Sequence, residues 1–196
     1  LDGKVRLASG IIPPGILGRD WPAVIPAHDV DAAAEIIERI GQPETEPAFY
    51  DAGIAVAMKL VLERDLGLRS EAISLEWPEF SSQLSEQSMP AFNLSWIADF
   101  PDPANFLASM FHSRSPDNYI GYDNAAMDQL LDAAEIEPDE SERVRLYLEA
   151  QQLAIDDYVL IPLYHDIAYT VVKPYVRDLT ISPIGVLSLE RVWIER

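Results

Sequence analysis

Hydrophobic residues recur at helical spacing in some stretches of this chain and at every second position in others. Ala33, Ile36, Ile37 and Ile40 fall at i, i+3, i+4 and i+7, the spacing of one helix face over about 31–40. Asp29 or Asp31 can cap its start, and Gly41 stands where a left-handed C-cap is wanted. A short strand near 46–50 follows. Asp51 then caps a helix over about 52–66, with Ile54, Met58, Val61 and Leu62 on one face and Gly67 as its stop. Ile73, Leu75 and Trp77 alternate with Ser74 and Glu76, which predicts a half-buried strand over 72–77. Pro78 ends it and opens a polar helix over about 79–88. Residues 91–97 alternate again, and a loop at 98–103 holds Asp99, Pro101, Asp102 and Pro103.

Two longer helices come next. One runs from Asp123 to about Glu135 and buries Met127, Leu130, Leu131 and Ala134. The other starts at Asp139, with Glu142 completing a capping box, and buries Val144, Tyr147, Leu148, Gln151 and Ile155 on its way to about Asp156. Apolar extended segments at about 158–164 and 167–173 follow, and then strand-like pieces around Thr180 and Trp193. Alternating helices and strands predict an α/β fold. Three regions emerge: an extended Pro/Gly-rich connector at 1–28, an α/β body at 29–164, and a segment at 165–196 where the alternation fades. The connector carries Ile11, Ile12, Ile16, Leu17, Trp21 and Val24, so it is expected to be packed and not a free linker.

Charge and composition narrow the chemistry. The chain of 196 residues has 33 acidic and 14 basic side chains, a net charge of −19. A phosphate backbone or an anionic membrane surface is repelled by such a surface. Without cysteine, disulfides, thiolate zinc sites and thiol catalysis are excluded. No apolar run approaches the ~20 residues that span a bilayer. The sequence opens at Leu1 and passes directly into Val5-Arg6-Leu7-Ala8, which reads as a processed or shortened chain. His28, His112 and His165 are far apart and in no metal-ligand spacing, and no phosphate-cradling glycine loop or G-x-S-x-G elbow occurs. Asp99 with Asp102, or Asp156 with Asp157, has the composition of an acid–base pair, but in so acidic a chain solvated helix ends are the plainer account of neighbouring carboxylates. A hydrolase on an α/β scaffold is therefore the rival class to a binding module.

The chemically unusual stretch is 92–111. Trp96 ends a predicted strand, and Asp99 follows in the proline-rigid loop. Ligands of open α/β sheets gather beyond strand ends. There an indole wall and one directed carboxylate suit an ammonium group. The plainer alternative is a turn aspartate beside a core tryptophan, and the residues alone support both.

Four segments, in order, resemble the peptide/nickel/oligosaccharide family of ABC-importer solute-binding proteins. Pro13-Pro14-Gly15 is similar to that family's P-P-G segment. Trp96-Ile97-Ala98-Asp99-Phe100-Pro101-Asp102-Pro103 with Phe106 is similar to its W-x-A-D-[YF]-x-[DE]-P-x-x-F segment. Asn118, Tyr122, Asn124, Asp128, Leu130 and Leu131 resemble its N-x-x-x-Y-x-N-x-x-x-D-x-L-L pattern. Arg143, Tyr147, Ala150 and Gln151, then Ile161-Pro162-Leu163-Tyr164, resemble its R-x-x-x-Y-x-x-A-[EQ] helix and I-P-L-Y strand. The resemblance implies a periplasmic-binding-protein-like (type II) lobe, a mixed sheet flanked by helices with a C-terminal arm. It implies the C-terminal lobe of a longer, extracytoplasmic, non-enzymatic receptor without cofactor. Such a receptor closes two lobes on a peptide or similar solute and delivers it to a membrane permease. Residues 165–196 would return toward the N-terminal lobe. Asp99 would hold the ligand's α-amino group, with Trp96 and Phe100 lining the pocket. Asn93 stands where some peptide binders carry a basic residue that meets the ligand's carboxylate.

Overall fold

The computed structural model describes residues 5–41, 47–50, 54–182 and 184–195. In chain order the elements are β1 (Val5–Leu7), α1 (Val30–Ile40), β2 (Ala48–Tyr50), α2 (Ile54–Leu66), β3 (Glu71–Ile73), α3 (Trp77–Ser85), β4 (Ala91–Phe92), α4 (Ala104–Phe111), α5 (Ala125–Ile136), α6 (Glu140–Asp156), β5 (Tyr164–Asp166), β6 (Val176–Arg177), β7 (Thr180–Ile181), β8 (Leu187–Ser188) and β9 (Trp193–Ile194). Two compact units divide them: Pro26–Trp96, and Leu1–Ile25 together with Ile97–Arg196. Parallel and antiparallel pairing both occur, in separate small sheets. Among the described residues no helix is long and apolar enough to cross a membrane.

The unit Pro26–Trp96 is built on a parallel sheet of order β3-β2-β4. Parallel neighbours need crossovers, and α2 and α3 supply them. Asp29, not Asp31, caps α1, accepting the Ala32 N–H at 2.9 Å. Gly41 has φ 86 but an extended ψ of 171, so the chain leaves α1 outside the left-handed helical conformation expected there. The apolar stripe of α1 is only partly covered: Ala33 and Ile37 are half-buried, while Ile36 and Ile40 are exposed. Within its unit α1 rests on α2, and one neighbour cannot cover the whole stripe. Val61 of α2 is likewise exposed. The expected Asp51 cap lies outside the described residues. Gly67, with φ 62, stops α2 as expected.

Two strand expectations are shortened. Pairing of 72–77 ends at Ile73, because proline pre-set for the first helical turn draws Trp77-Pro78 into α3. The Trp77 ring is exposed and tilted against Phe80, with centroids 6.0 Å apart. The strand expected over 91–97 is β4, Ala91–Phe92, followed by a bond from the Asn93 N–H to Tyr50 O at 3.1 Å.

In the other unit α6 is the central helix, packing on α4 and α5. Its core combines Phe106, Leu107, Phe111, Met127, Leu131, Ala134, Tyr147, Ala150, Ala154 and Ile155. Ile11, Ile12, Ile16 and Trp21 are buried as well, so the Pro/Gly-rich segment packs as expected. Asn124 caps α5, its Oδ1 accepting from Ala126 and Met127. Asp139 caps α6 by accepting the Glu142 N–H at 2.9 Å. The capping box stays half-formed, since the Glu142 carboxylate pairs with Arg145 and Glu137 accepts the Asp139 N–H at 2.8 Å. β1 pairs antiparallel with β5, Arg6 opposite His165. Two further antiparallel ribbons, β6-β9 and β7-β8, shape the C-terminal segment.

Candidate functional site

The loop before α4 holds two acids with different fates. Asp102 is bound on every side: its N–H donates to Phe100 O at 2.9 Å, its Oδ1 accepts the Ala104 N–H at 2.9 Å, and its Oδ2 pairs with the Arg143 guanidinium. Arg143 lies over the Tyr147 ring, 5.3 Å from the centroid. Asp99 is tied through its backbone, whose N–H donates to Asn105 Oδ1 at 3.2 Å. Its side chain is exposed, as is Phe100. Asn105 is itself buried in the first turn of α4 beside Phe106 and Leu107. The helix α4 was not among the sequence expectations. Its signal was present in Phe106, Leu107, Met110 and Phe111, which fall at i, i+1, i+4 and i+5.

The remaining signature residues act as braces. The buried Asn118 donates to His112 O (3.3 Å) and Tyr122 O (2.7 Å) and accepts the Tyr122 N–H (3.0 Å), closing the turn between α4 and α5. The Tyr122 hydroxyl donates to Asp157, and Asn124 Nδ2 donates to the same carboxylate at 2.9 Å. Burial and Asp157 push the Tyr122 phenol up to about 12, so it stays a donor at neutral pH. Asp128 accepts the Ser113 N–H at 2.9 Å and its hydroxyl. Burial works to raise the Asp128 carboxyl, but these bonds, with His112 and Arg114, hold it below the usual carboxylate range. Gln151 Oε1 accepts the N–H groups of Ile11 (2.8 Å) and Ile12 (3.0 Å), joining the Pro/Gly-rich segment to α6.

The four candidate residues fall in both units. Asn93 and Trp96 are half-buried and belong to Pro26–Trp96; Asp99 and Phe100 belong to the other unit. Trp96 lies beyond the end of β4. The carboxylate pairs weighed for acid–base work are divided by their contacts. Asp102 serves Arg143, Asp157 serves Tyr122 and Asn124, and Asp156 accepts from Gln152 at 2.8 Å. His28 is exposed, His112 contacts Asp128 and Asp132, and His165 lies in β5. Among the described residues no three metal-ligating side chains converge.

No family model matches the chain. It is 26% identical over 203 residues to di/tripeptide-binding protein 1 of Pseudomonas aeruginosa, covering 97% of this chain and 38% of that protein. The periplasmic oligopeptide-binding protein OppA of Escherichia coli is 27% identical over 127 residues, covering 65% of this chain and 23% of its own length. The solved dipeptide-binding protein of Pseudoalteromonas sp. SM9913, in complex with Met-Leu, superposes with a TM-score of 0.81 at 23% identity, covering 99% of this chain and 41% of that one. The chain thus spans well under half the length of the curated relatives it matches. These relatives are binding proteins. In sequence this chain is a relative of the di/tripeptide- and oligopeptide-binding proteins, and in fold it corresponds to about two fifths of such a protein.

Proposed function

We propose that this chain is the C-terminal lobe of an extracytoplasmic solute receptor that captures a short peptide and delivers it to the permease of an ABC importer. The observation that carries the reading is Asp99. Of the two acids in the signature loop, Asp102 is consumed by Arg143, whereas the Asp99 carboxylate is exposed on a backbone held by Asn105. A carboxylate so presented suits the α-amino group of a peptide. Phe100, Trp96 and Asn93 are the further residues assigned to ligand contact, on the strength of the sequence resemblance alone. The segment 165–196 is read as the return toward an N-terminal lobe, which would close over the ligand by hinge motion. Catalysis is not part of this reading: Asp102, Asp156 and Asp157 each serve a separate protein partner, which leaves Asp99 without a second carboxylate to share acid–base work.

The test is calorimetry on the two-lobed protein containing this chain, with a free dipeptide as ligand. Removing one partner of a desolvated charge pair costs roughly 2–5 kcal/mol, about 30-fold to several thousand-fold in affinity. Asp99→Ala is expected to weaken binding by that factor while leaving the melting temperature nearly unchanged. Unaltered affinity would remove Asp99 from the site.

A further inference from the structure

We infer that Asn105 is a positioning residue for Asp99, with the Asp102–Arg143 pair as its second anchor; this rests on the peptide-binding reading above. An exposed carboxylate on a free loop samples many positions, and a ligand pays for ordering it. Here the loop is held at both ends. Asn105 is 3% exposed, and its Oδ1 accepts the Asp99 N–H at 3.2 Å. Asn105 sits in the first turn of α4, whose Phe106, Leu107 and Phe111 are all buried, so the acceptor is fixed by the core. Three residues past Asp99, Asp102 is joined to Arg143 of α6, and Pro103 beside it is fully buried. The carboxylate that touches ligand is thereby held on a short span between two core-anchored points. An asparagine suits the task because its carbonyl oxygen accepts a backbone N–H without placing a second charge beside the ammonium site. The geometry separates two roles within one signature: Asp99 contacts the ligand, while Asn105, Asp102 and Arg143 hold it in place.

The experiment compares Met-Leu with N-acetyl-Met-Leu on the two-lobed protein by calorimetry. The ratio of the two affinities reports recognition of the ammonium group and is insensitive to general loss of folded protein. Wild type is expected to favour the free amine, and Asp99→Asn to abolish that preference. Asn105→Ala is expected to cut the ratio roughly tenfold, and Arg143→Met to cut it by a smaller factor. If Asp99→Asn leaves the ratio at the wild-type value, the peptide-binding reading fails and this inference with it. If Asp99→Asn abolishes the preference but Asn105→Ala keeps the wild-type ratio, or weakens both peptides equally, the positioning role is overturned while the binding reading stands. Should Asn105→Ala not accumulate as folded protein, Arg143→Met decides on the same ratio, and an unchanged value overturns the inference.

Discussion

At the scale of single residues, Gly10 leaves no room for a side chain. A Cβ at this position would stand 2.8 Å from Gln151 Oε1, the atom that accepts from both Ile11 and Ile12. Gly10→Ala must displace that fully buried amide or lose its bonds. It is expected to lower stability by about 1–3 kcal/mol, read as a fall in the urea midpoint at constant m-value. An unchanged midpoint would show that Gln151 has room to yield. Part of this site was legible beforehand, because Gln151 falls on the apolar stripe of its helix with Val144, Tyr147 and Ile155. Its partners were not, since nothing local to residue 151 points to residues 11 and 12. The same limit applies to Asp99 and Asp102. Both are acids in one proline-rich loop, and only the position of Arg143 on α6 distinguishes the brace from the exposed group.

At the scale of elements, helices were more legible than strands. Caps and stripes are set within a turn or two, so α5 and α6 begin within two residues of the expected starts. Strand ends depend on a partner, and the alternation through Trp77 and Trp96 outlasts the pairing. The pair β1-β5 has a chemical consequence. Burial, and then the charge of Arg6 opposite, hold the His165 imidazole below its ordinary value. The folded state therefore binds this proton less readily than the unfolded chain does. Its contribution is complete above the unfolded value, about 6.5, and is lost as pH falls below it. Acidification from about pH 7.5 to about 5.5 is expected to lower the melting temperature of wild type more than that of His165→Gln. Equal falls in the two proteins would place the acid sensitivity elsewhere.

At the scale of the molecule, the compact units do not follow the order of the chain. Residues 1–25 join those after 96, with Pro26–Trp96 between them in sequence. The C-terminal segment presents an unusual amount of apolar surface for its length. Val171 is 97% exposed, and Tyr169, Leu189, Trp193 and Ile194 are exposed too. Exposed large apolar side chains in this number make the segment a candidate for coverage by another part of a longer protein. On the reading of 165–196 as a return toward an N-terminal lobe, amide hydrogen exchange at 167–195 should slow at least tenfold when the chain forms part of a protein of its relatives' full length. Exchange in α5 and α6, already covered by one another, should change little. Equal protection of 167–195 in both contexts would refute the return.

The sequence by itself determined the α/β class, the positions of α5 and α6, the packing of the Pro/Gly-rich segment and the likeness to peptide-binding proteins. Each of these is written in local spacing, capping chemistry or motif order. Tertiary structure alone decided which acid of the loop is a brace, how far each strand pairs, how much of the α1 stripe is covered and where the units divide. Those outcomes depend on groups brought together from distant positions, and a linear pattern carries no record of which partner arrives.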